Sequence, residues 1–393
     1  MTADGPAAED LLGHIRREYG DGEVALHRPV FVGDERRWLR ECVESNFVST
    51  AGSLVGEFER RLAAFTGAAH VVATVNGTSA LHLALRVAGV ERGDEVLTQA
   101  LSFVATANAI AYTGAEPVFL DVDADSLGLS PVALAAWLHE HAERRDDGRA
   151  WNRRSGRRIA ACVPMHTFGN PLRIAAVVAI CAAHGIPVVE DAAEALGSRA
   201  GDRHAGTFGA LGVLSFNGNK VITTGGGGAV LTDDAALAAR ARHLGTTARC
   251  AHPYEFVHDE VGFNYRLPNL NAALGCAQME SLPMMLTIKA EVAARYRRFF
   301  RDRGVAFVEP LPDTSSNHWL NAIVLASAED REPLLEATAR AGVMTRPVWR
   351  LLSQLPMYAH CAHDGLAVSR ELAPRLLNLP SSVPEREFAR LRP

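Results

Sequence analysis

The sequence predicts an α/β fold in which seven strands form a mainly parallel sheet covered by helices on both faces. Short, continuously apolar stretches alternate with helical segments between residues 70 and 231, a pattern typical of parallel strands that are buried on both sides. The chain has 393 residues, which is more than one hydrophobic core usually holds. We therefore expect a second, smaller α/β domain beside the large one.

The chain divides into three predicted parts, an N-terminal arm over residues 1–25, a large domain over 26–270 and a small C-terminal domain over 271–393. The strands expected in the large domain follow from their apolar runs: His70–Val75, Glu95–Thr98, Pro117–Val122, Ile159–Pro164, Pro187–Glu190, Leu211–Phe216 and Gly228–Leu231. The C-terminal domain is expected to contain two successive helices and, further on, two strands: Asn271–Leu282, Lys289–Arg303, Trp319–Leu325 and Gly342–Pro347.

Composition argues against several classes of protein. The formal net charge of −5 gives no reason to expect nucleic acid as a partner. No apolar run reaches the roughly 18 residues of a membrane span, and the acidic stretch Met1–Asp10 does not resemble a signal peptide. The six cysteines are scattered without a C-x-x-C pair. This spacing favours reduced thiols in the cytoplasm and argues against a metal site or a disulfide framework.

One lysine, Lys220, lies between two apolar stretches, Leu211–Leu214 and Ala229–Leu231. Burying an ammonium group without a partner is costly, so such a lysine often has a lowered pKa and acts as a nucleophile or Schiff-base former. The alternative is a surface lysine on a loop between two strands. The glycines at 225–228 follow the lysine instead of preceding it, which excludes a P-loop and indicates a closely packed turn.

Polar and aromatic residues follow the ends of other strands, where ligands bind in parallel sheets. Asn76–Ser79 offers a phosphate site at a helix N-terminus, although such residues also serve as ordinary caps. Phe103 is either a stacking aromatic or a core residue, and Asp191 is either a helix cap or a carboxylate that needs a cationic partner. Together with Lys220 these groups are what pyridoxal phosphate (PLP) requires, because a lysine forms the imine and an aspartate keeps the ring nitrogen protonated.

Five motifs carry a resemblance to a known family: Asn-Gly-Thr-Ser-Ala-Leu-His-Leu-Ala-Leu (76–85), Ser-Phe-Val-Ala-Thr-Ala-Asn-Ala (102–109), Glu-Asp-Ala-Ala-Glu-Ala-Leu-Gly (190–197), Ser-Phe-Asn-Gly-Asn-Lys (215–220) and Gly-Phe-Asn-Tyr-Arg (262–266). The chain resembles the DegT/DnrJ/StrS family of sugar aminotransferases over about Phe47 to Pro384. The resemblance implies a fold-type I PLP aminotransferase.

The resemblance also implies roles for individual residues. Lys220 would form the imine with the cofactor and move the proton, and Asp191 would pair with the pyridine nitrogen. Phe103 would stack on the cofactor ring. Gly77, Thr78 and Ser215 would hold the phosphate, with Asn264 from a second subunit. Glu194, where many family members have glutamine, would lie near the ring hydroxyl. A site shared in this way implies a homodimer.

Within the family, the stretches at 163–169, 216–228, 264–278 and 345–349 are similar to enzymes that aminate UDP-4-keto-6-deoxy-N-acetylhexosamine on the way to legionaminic-type acids. This similarity implies L-glutamate as amino donor and a nucleotide-linked keto sugar as acceptor. The candidate acceptor contacts are Thr50, His166, Arg266, His318 and Arg346. Other keto acceptors, such as a 3-keto sugar, a keto-cyclitol or a sugar-acid aldehyde, remain alternatives. PLP-dependent sugar deoxygenases have histidine at the position of Lys220, and a non-catalytic regulator would not need Lys220 and Asp191.

Overall fold

The computed structural model describes residues 8–391. Its helices are α1 (Ala8–Tyr19), α2 (Glu35–Glu44), α3 (Ser53–Thr66), α4 (Gly77–Val87), α5 (Val104–Tyr112), α6 (Pro131–His141), α7 (Ile174–Ala183), α8 (Ala235–Gly245), α9 (Asn269–Arg301), α10 (Arg331–Arg340) and α11 (Ala367–Leu372). Within these residues, no helix combines the length and the apolar character that crossing a membrane would need.

The strands include short pairs outside the main sheet. In chain order they are β1 (His70–Thr74), β2 (Glu95–Gln99), β3 (Glu116–Leu120), β4 (Ala142–Arg144), β5 (Ala150–Asn152), β6 (Ile159–Val163), β7 (Val189–Asp191), β8 (Arg199–Ala200), β9 (Arg203–His204), β10 (Leu211–Ser215), β11 (Gly228–Thr232), β12 (Arg249–Cys250), β13 (Val257–His258), β14 (Ala306–Phe307), β15 (Thr314–Ser315), β16 (Asn321–Val324), β17 (Arg346–Pro347) and β18 (Leu376–Leu379).

The central strands form two hydrogen-bonded blocks, β1-β11-β10-β7 and β6-β2-β3. Parallel bridges between Cys162 and Val188 and between Met165 and Asp191 join the blocks side by side. In this row only β11 runs antiparallel to its neighbours; the other pairings are parallel. The mainly parallel α/β class is therefore confirmed. Each strand expected in the large domain has a counterpart, with ends that shift by one or two residues.

Both faces of the central sheet are covered. Val96 and Leu97 are neighbours on β2, yet their side chains belong to different hydrophobic clusters. Val96 faces the cluster that contains Leu85 of α4, whereas Leu97 faces the cluster that contains Val177 of α7. Successive side chains of a strand point to opposite faces. The strands therefore have to be apolar throughout, which explains their continuous hydrophobic runs.

The helix α9 corrects the prediction of two separate helices, because one helix of 33 residues continues through Pro283. Proline removes a backbone hydrogen bond and costs about 3 kcal/mol inside a helix. Here the buried stripe runs through the proline without a break, with Leu282, Met285 and Ile288 at a spacing of three residues and at most 2% exposed. Packing of this stripe offsets the cost of the proline.

The C-terminal part contains its own antiparallel sheet in the order β14-β16-β18-β17. The helix α1 packs on it through Leu11 and Ile15, which share a buried cluster with Tyr296, Phe300 and Leu377. The predicted strand over 342–347 is reduced to β17, and the pairing strand β18 was not foreseen. The division of the chain at residues 25 and 270 stays a prediction.

Two glycines in helices should respond in opposite ways to alanine. A Cβ at Gly275 in α9 would lie 2.6 Å from the ring of Phe58, which is fully buried against Phe216. We therefore expect Gly275→Ala to destabilise the fold by about 1–3 kcal/mol. Gly56 in α3 has open space around its Cβ position, so Gly56→Ala should stabilise by about 0.5–1 kcal/mol. Denaturant unfolding of the two variants measures both signs, and a stabilising Gly275→Ala would contradict the packing of α3 on α9.

Candidate active site

A cavity of about 340 Å³ lies where β1, β7 and β10 end. Ligands bind in this position in open α/β sheets. Seven of the residues proposed from the sequence line it together, namely Gly77, Thr78, Phe103, Asp191, Glu194, Ser215 and Lys220. Residues far apart in the chain thus meet in one place because their strands end at the same edge.

The N-terminus of α4 and the end of β10 form a narrow cradle in this cavity. Asn76 caps the helix, since its side-chain oxygen accepts a 2.7 Å hydrogen bond from the backbone N–H of Ser79. A Cβ on Gly77 would lie 2.8 Å from the Cβ of Ser215. Glycine therefore lets the Ser215 hydroxyl approach the positive end of the helix, an arrangement that suits a phosphate.

The glycines after Lys220 have a structural reason. A Cβ on Gly228, the first residue of β11, would lie 2.6 Å from the carbonyl oxygen of Asn76. Gly227 is similarly crowded by the hydroxyl of Thr224. Close backbone approach, and not phosphate binding, therefore requires these glycines, as the sequence indicated.

Asp191 is a buried carboxylate without a cationic partner. It is 3% exposed, and it accepts hydrogen bonds from the Thr106 hydroxyl at 2.7 Å and from the backbone N–H of Ala193 at 3.2 Å. Burial raises the pKa of Asp191, although these hydrogen bonds act in the opposite direction. Within residues 8–391 no lysine, arginine or histidine forms an ion pair with it. A positively charged ligand group in the cavity would complete its environment.

Lys220 and Glu194 form an ion pair inside the cavity, with 3.3 Å between Nζ and Oε1. The other carboxylate oxygen of Glu194 accepts a hydrogen bond from the backbone N–H of Phe168 at 2.9 Å. Burial raises the pKa of Glu194 to about 7, even though the nearby lysine lowers it. The Nζ of Lys220 also lies 3.9 Å from the centre of the Trp319 ring. The lysine is therefore held in the cavity and does not extend from a surface loop.

Two tryptophans that the sequence did not single out line the same cavity. The indole N–H of Trp319 donates to the carbonyl of Asn219 at 2.6 Å, which fixes its ring beside Lys220. Trp349 packs edge-on against Phe103, with ring centres 5.9 Å apart. Phe103 is 46% exposed and is not a core residue, so its ring is open to a flat ligand. Trp349 ends the Thr-Arg-Pro-Val-Trp stretch, the one sequence signal that could have indicated it.

The chain contains only two lysines, Lys220 and Lys289. Lys289 is 1% exposed on α9, and its Nζ contacts Nε2 of His27 at 3.0 Å and the carbonyls of Trp319 and Ser381. Burial lowers the pKa of Lys289 to about 7. It does not line the cavity. Lys220 is thus the one lysine amine positioned to react with a ligand bound there.

Three further predicted residues lie around a different cavity of about 770 Å³. Thr50, Asn264 and Arg266 line it together with Arg242 and Arg249. None of these residues lines the cavity of Lys220 in the same chain. Within the described chain these three residues therefore lie outside the cavity that contains Lys220.

The remaining predicted acceptor contacts have other environments. His166 is fully buried, and its Nε2 lies 2.9 Å from a carboxylate oxygen of Glu190. No atom of His166 is therefore exposed in this structure, and its role as an acceptor contact stays a prediction. His318 adopts a left-handed backbone, and burial lowers its pKa to about 3, so it is neutral. Arg346 is exposed and lines a separate surface cavity with Glu23 and Arg28.

Known proteins resemble the chain over nearly its whole length. EpsN of Bacillus subtilis (strain 168), whose name describes a pyridoxal phosphate-dependent aminotransferase, is 35% identical over 366 residues, covering 91% of each chain. GDP-perosamine synthase of Escherichia coli O157:H7 is 32% identical over 358 residues, covering 91% of this chain and 93% of that protein.

The solved structure of the aminotransferase TlmJ from Streptoalloteichus hindustanus superposes with a TM-score of 0.84 at 28% identity, covering 94% of this chain and 97% of TlmJ. This similarity confirms the fold-type I aminotransferase architecture that the motifs implied. The family model described as DegT/DnrJ/EryC1/StrS aminotransferase matches residues 31–385. The chain therefore belongs to the DegT/DnrJ/EryC1/StrS aminotransferase family and is an aminotransferase.

Proposed function

We propose that this enzyme uses PLP to transfer an amino group from L-glutamate to a nucleotide-linked keto sugar. One observation carries the proposal. Lys220 and the unpaired, buried Asp191 face the same cavity, beside the cradle that Gly77, Thr78 and Ser215 form at a helix N-terminus. An amine and a carboxylate in this arrangement are what the cofactor needs for its attachment and for its ring nitrogen.

The residues present fit PLP. Gly77, Thr78 and Ser215 would hold its phosphate at the N-terminus of α4, and the exposed ring of Phe103 would stack on its pyridine ring. Asp191 would then pair with the protonated ring nitrogen, which would be the cationic partner that it lacks. When bound, PLP supplies an electron sink for the carbon that loses its proton.

The side chains around the cavity would have separate roles in the reaction. Lys220 Nζ takes the proton from the α-carbon of the amino donor and returns one to the acceptor carbon, since no other lining residue has an amine. Glu194 keeps that Nζ in place at 3.3 Å, and the family resemblance implies that it would also contact the ring hydroxyl of the cofactor. Thr106 orients Asp191 through its 2.7 Å hydrogen bond. The donor product leaves before the acceptor enters, so both substrates use the same Nζ in turn.

The acceptor we favour is a nucleotide-linked 4-keto-6-deoxy sugar, and among these UDP-4-keto-6-deoxy-N-acetylhexosamine. Support comes from the branch-specific motifs at 163–169 and 345–349. The name of the GDP-perosamine synthase relative also points to a nucleotide-linked sugar. A panel of UDP-, GDP- and dTDP-linked 3-keto and 4-keto sugars, offered to the enzyme after reaction with glutamate, separates these acceptors. The presence of lysine at position 220 argues against a sugar deoxygenase.

We further propose a homodimer with shared sites. Asn264 and its neighbours Thr50 and Arg266 line a cavity that does not contain Lys220. In a dimer, this surface of one subunit would complete the phosphate and acceptor contacts at the Lys220 of its partner. The isologous interface of a two-fold dimer would create two such sites.

Removal of the Lys220 amine should abolish attachment of the cofactor. We expect Lys220→Ala to lower turnover by about 100- to 10,000-fold, because the proton-transfer group is lost. Borohydride reduction of the wild-type protein followed by mass spectrometry should find a pyridoxyl group on Lys220. The chain has one other lysine, Lys289, and Lys289→Met serves as the matched control that keeps the label. A label on Lys289 would overturn the assignment.

Glu194 should make the stability of the cofactor-free protein depend on pH. Its pKa is about 7 in the fold, against 4.5 without the fold, so the folded state binds the proton more tightly. The free energy of unfolding contributed by this group therefore falls by about 3 kcal/mol as pH rises from 4.5 to 7. Glu194→Gln should remove this loss and be the more stable protein above pH 7, with little difference near pH 4.5.

Denaturant unfolding across this pH range measures the difference. Glu336→Gln, at an exposed glutamate on α10, is the control and should show no such pH-dependent gain. A constant difference between Glu194→Gln and the wild type at all pH values would contradict the burial penalty.

Complementation tests whether the sites are shared. Lys220→Ala and Asn264→Ala each damage every site of their own homodimers. In mixed dimers one site would combine the intact Lys220 of one subunit with the intact Asn264 of the other. Subunit exchange in an equal mixture should therefore give up to about a quarter as many intact sites as the wild type has, and a corresponding share of its activity. No recovery in dimers shown to be mixed would mean that both residues act in the same subunit's site.

A further inference from the structure

A cavity of about 440 Å³ on the C-terminal part of the chain is lined by three arginines, Arg331, Arg350 and Arg370. They come from separate segments, namely the first turn of α10, the loop after β17 and α11. Gln354 and Trp349 complete its wall. The fold thus gathers three positive charges that are distant in sequence.

No acidic residue lines this cavity. None of the three arginines forms an ion pair with a described residue, and their one hydrogen bond to a neighbouring segment is from Arg331 to the carbonyl of Ala373 at 2.8 Å. Nearby Arg375 differs from these three arginines, because its side chain forms an ion pair with Glu371 and donates a hydrogen bond to the carbonyl of Leu325. Clustered guanidinium groups without acidic partners attract an anion that has several oxygens, and their planar forks suit phosphate.

Trp349 is the wall between this cavity and the cavity of Lys220, because it lines both. Its loop is tied to the central sheet, where the backbone N–H of Leu352 donates to the carbonyl of Ala100 at 2.9 Å, just after β2. The Trp349 ring also contacts Phe103 and Phe168. An anion held by the arginines would therefore lie across Trp349 from the cavity that contains Lys220.

We propose that Arg331, Arg350 and Arg370 bind the diphosphate of a nucleotide-linked acceptor while its keto sugar lies in the Lys220 cavity. This assignment rests on the proposed transfer to a nucleotide sugar. A diphosphate has two charged groups and several acceptor oxygens, which matches three guanidinium groups better than the single distal carboxylate of glutamate does. The arginine cavity then selects acceptors by their diphosphate, and Trp349 separates that recognition from the chemistry.

Glutamine substitutions at the two exposed arginines test the assignment. Arg350→Gln and Arg370→Gln should each weaken binding of UDP, GDP and inorganic pyrophosphate by about tenfold or more, since each removes charge-assisted hydrogen bonds. Calorimetry on the cofactor-loaded protein measures this binding without turnover. The KM of the nucleotide-linked acceptor should rise by a similar factor, while the rate at which glutamate changes the cofactor spectrum stays the same.

Arg340→Gln is the matched control, because Arg340 is an exposed arginine on α10 outside the cavity. It should leave diphosphate binding and KM unchanged, and melting temperatures should show that all variants are folded. Unchanged diphosphate binding in the double variant Arg350→Gln/Arg370→Gln would overturn the assignment. A higher KM for glutamate, with an unchanged acceptor KM, would also overturn it, because the cavity would then hold the donor.

The two proposals can fail separately. If the arginine variants lose diphosphate binding but no keto sugar is aminated by the wild type, the proposed reaction is wrong and the anion site stands. If keto sugars are aminated and the variants keep the wild-type acceptor KM, the reaction stands and the assignment of the arginine cavity is wrong.

Discussion

A buried carboxylate without a cationic partner is the constraint on which the site depends. Asp191 is placed at the end of β7 by a parallel sheet whose strands are apolar on both faces, and only 3% of it is exposed. Thr106 and a backbone N–H provide only neutral hydrogen bonds. The charge is therefore stabilised fully only when a cationic group enters the cavity. The second acid, Glu194, is paired with Lys220, which leaves Asp191 for the ligand.

Much of this arrangement could be predicted from local sequence. Continuous apolar runs determine the strands, and the residues that follow them, such as Asp191 and Ser215, necessarily lie at one sheet edge. Trp319 and Trp349 could not be assigned in this way, because the C-terminal segment reaches the cavity through tertiary packing. The burial of His166 depends on Glu190 from another strand, and periodicity does not reveal such a partner. The prediction of two separate helices around Pro283 was wrong for a related reason. Packing of the residues on both sides of Pro283 outweighs the tendency of proline to end a helix.

The positions of the charged residues suggest a division of labour between cofactor and acceptor. Asp191 and Glu194 are buried near the sheet edge, where burial raises their pKa values. Arginines, which stay charged in all environments, line the outer cavities instead. The reacting amine thus belongs to an enclosed site in which proton transfer can be controlled. Under the proposed function, a charged acceptor would be recognised at these more exposed surfaces, and Trp349 lines both the enclosed cavity and the arginine cavity.

The central claim is that Asp191 is matched to a protonated ring nitrogen. The most direct measurement is the ¹⁵N chemical shift of the ring nitrogen in protein loaded with ¹⁵N-labelled PLP, compared between the wild type and Asp191→Asn. We expect the shift of a pyridinium in the wild type across the neutral pH range, and a change toward the shift of neutral pyridine in the variant. A neutral pyridine shift in the wild type would contradict the assignment of Asp191 and the electrostatic basis proposed for the site.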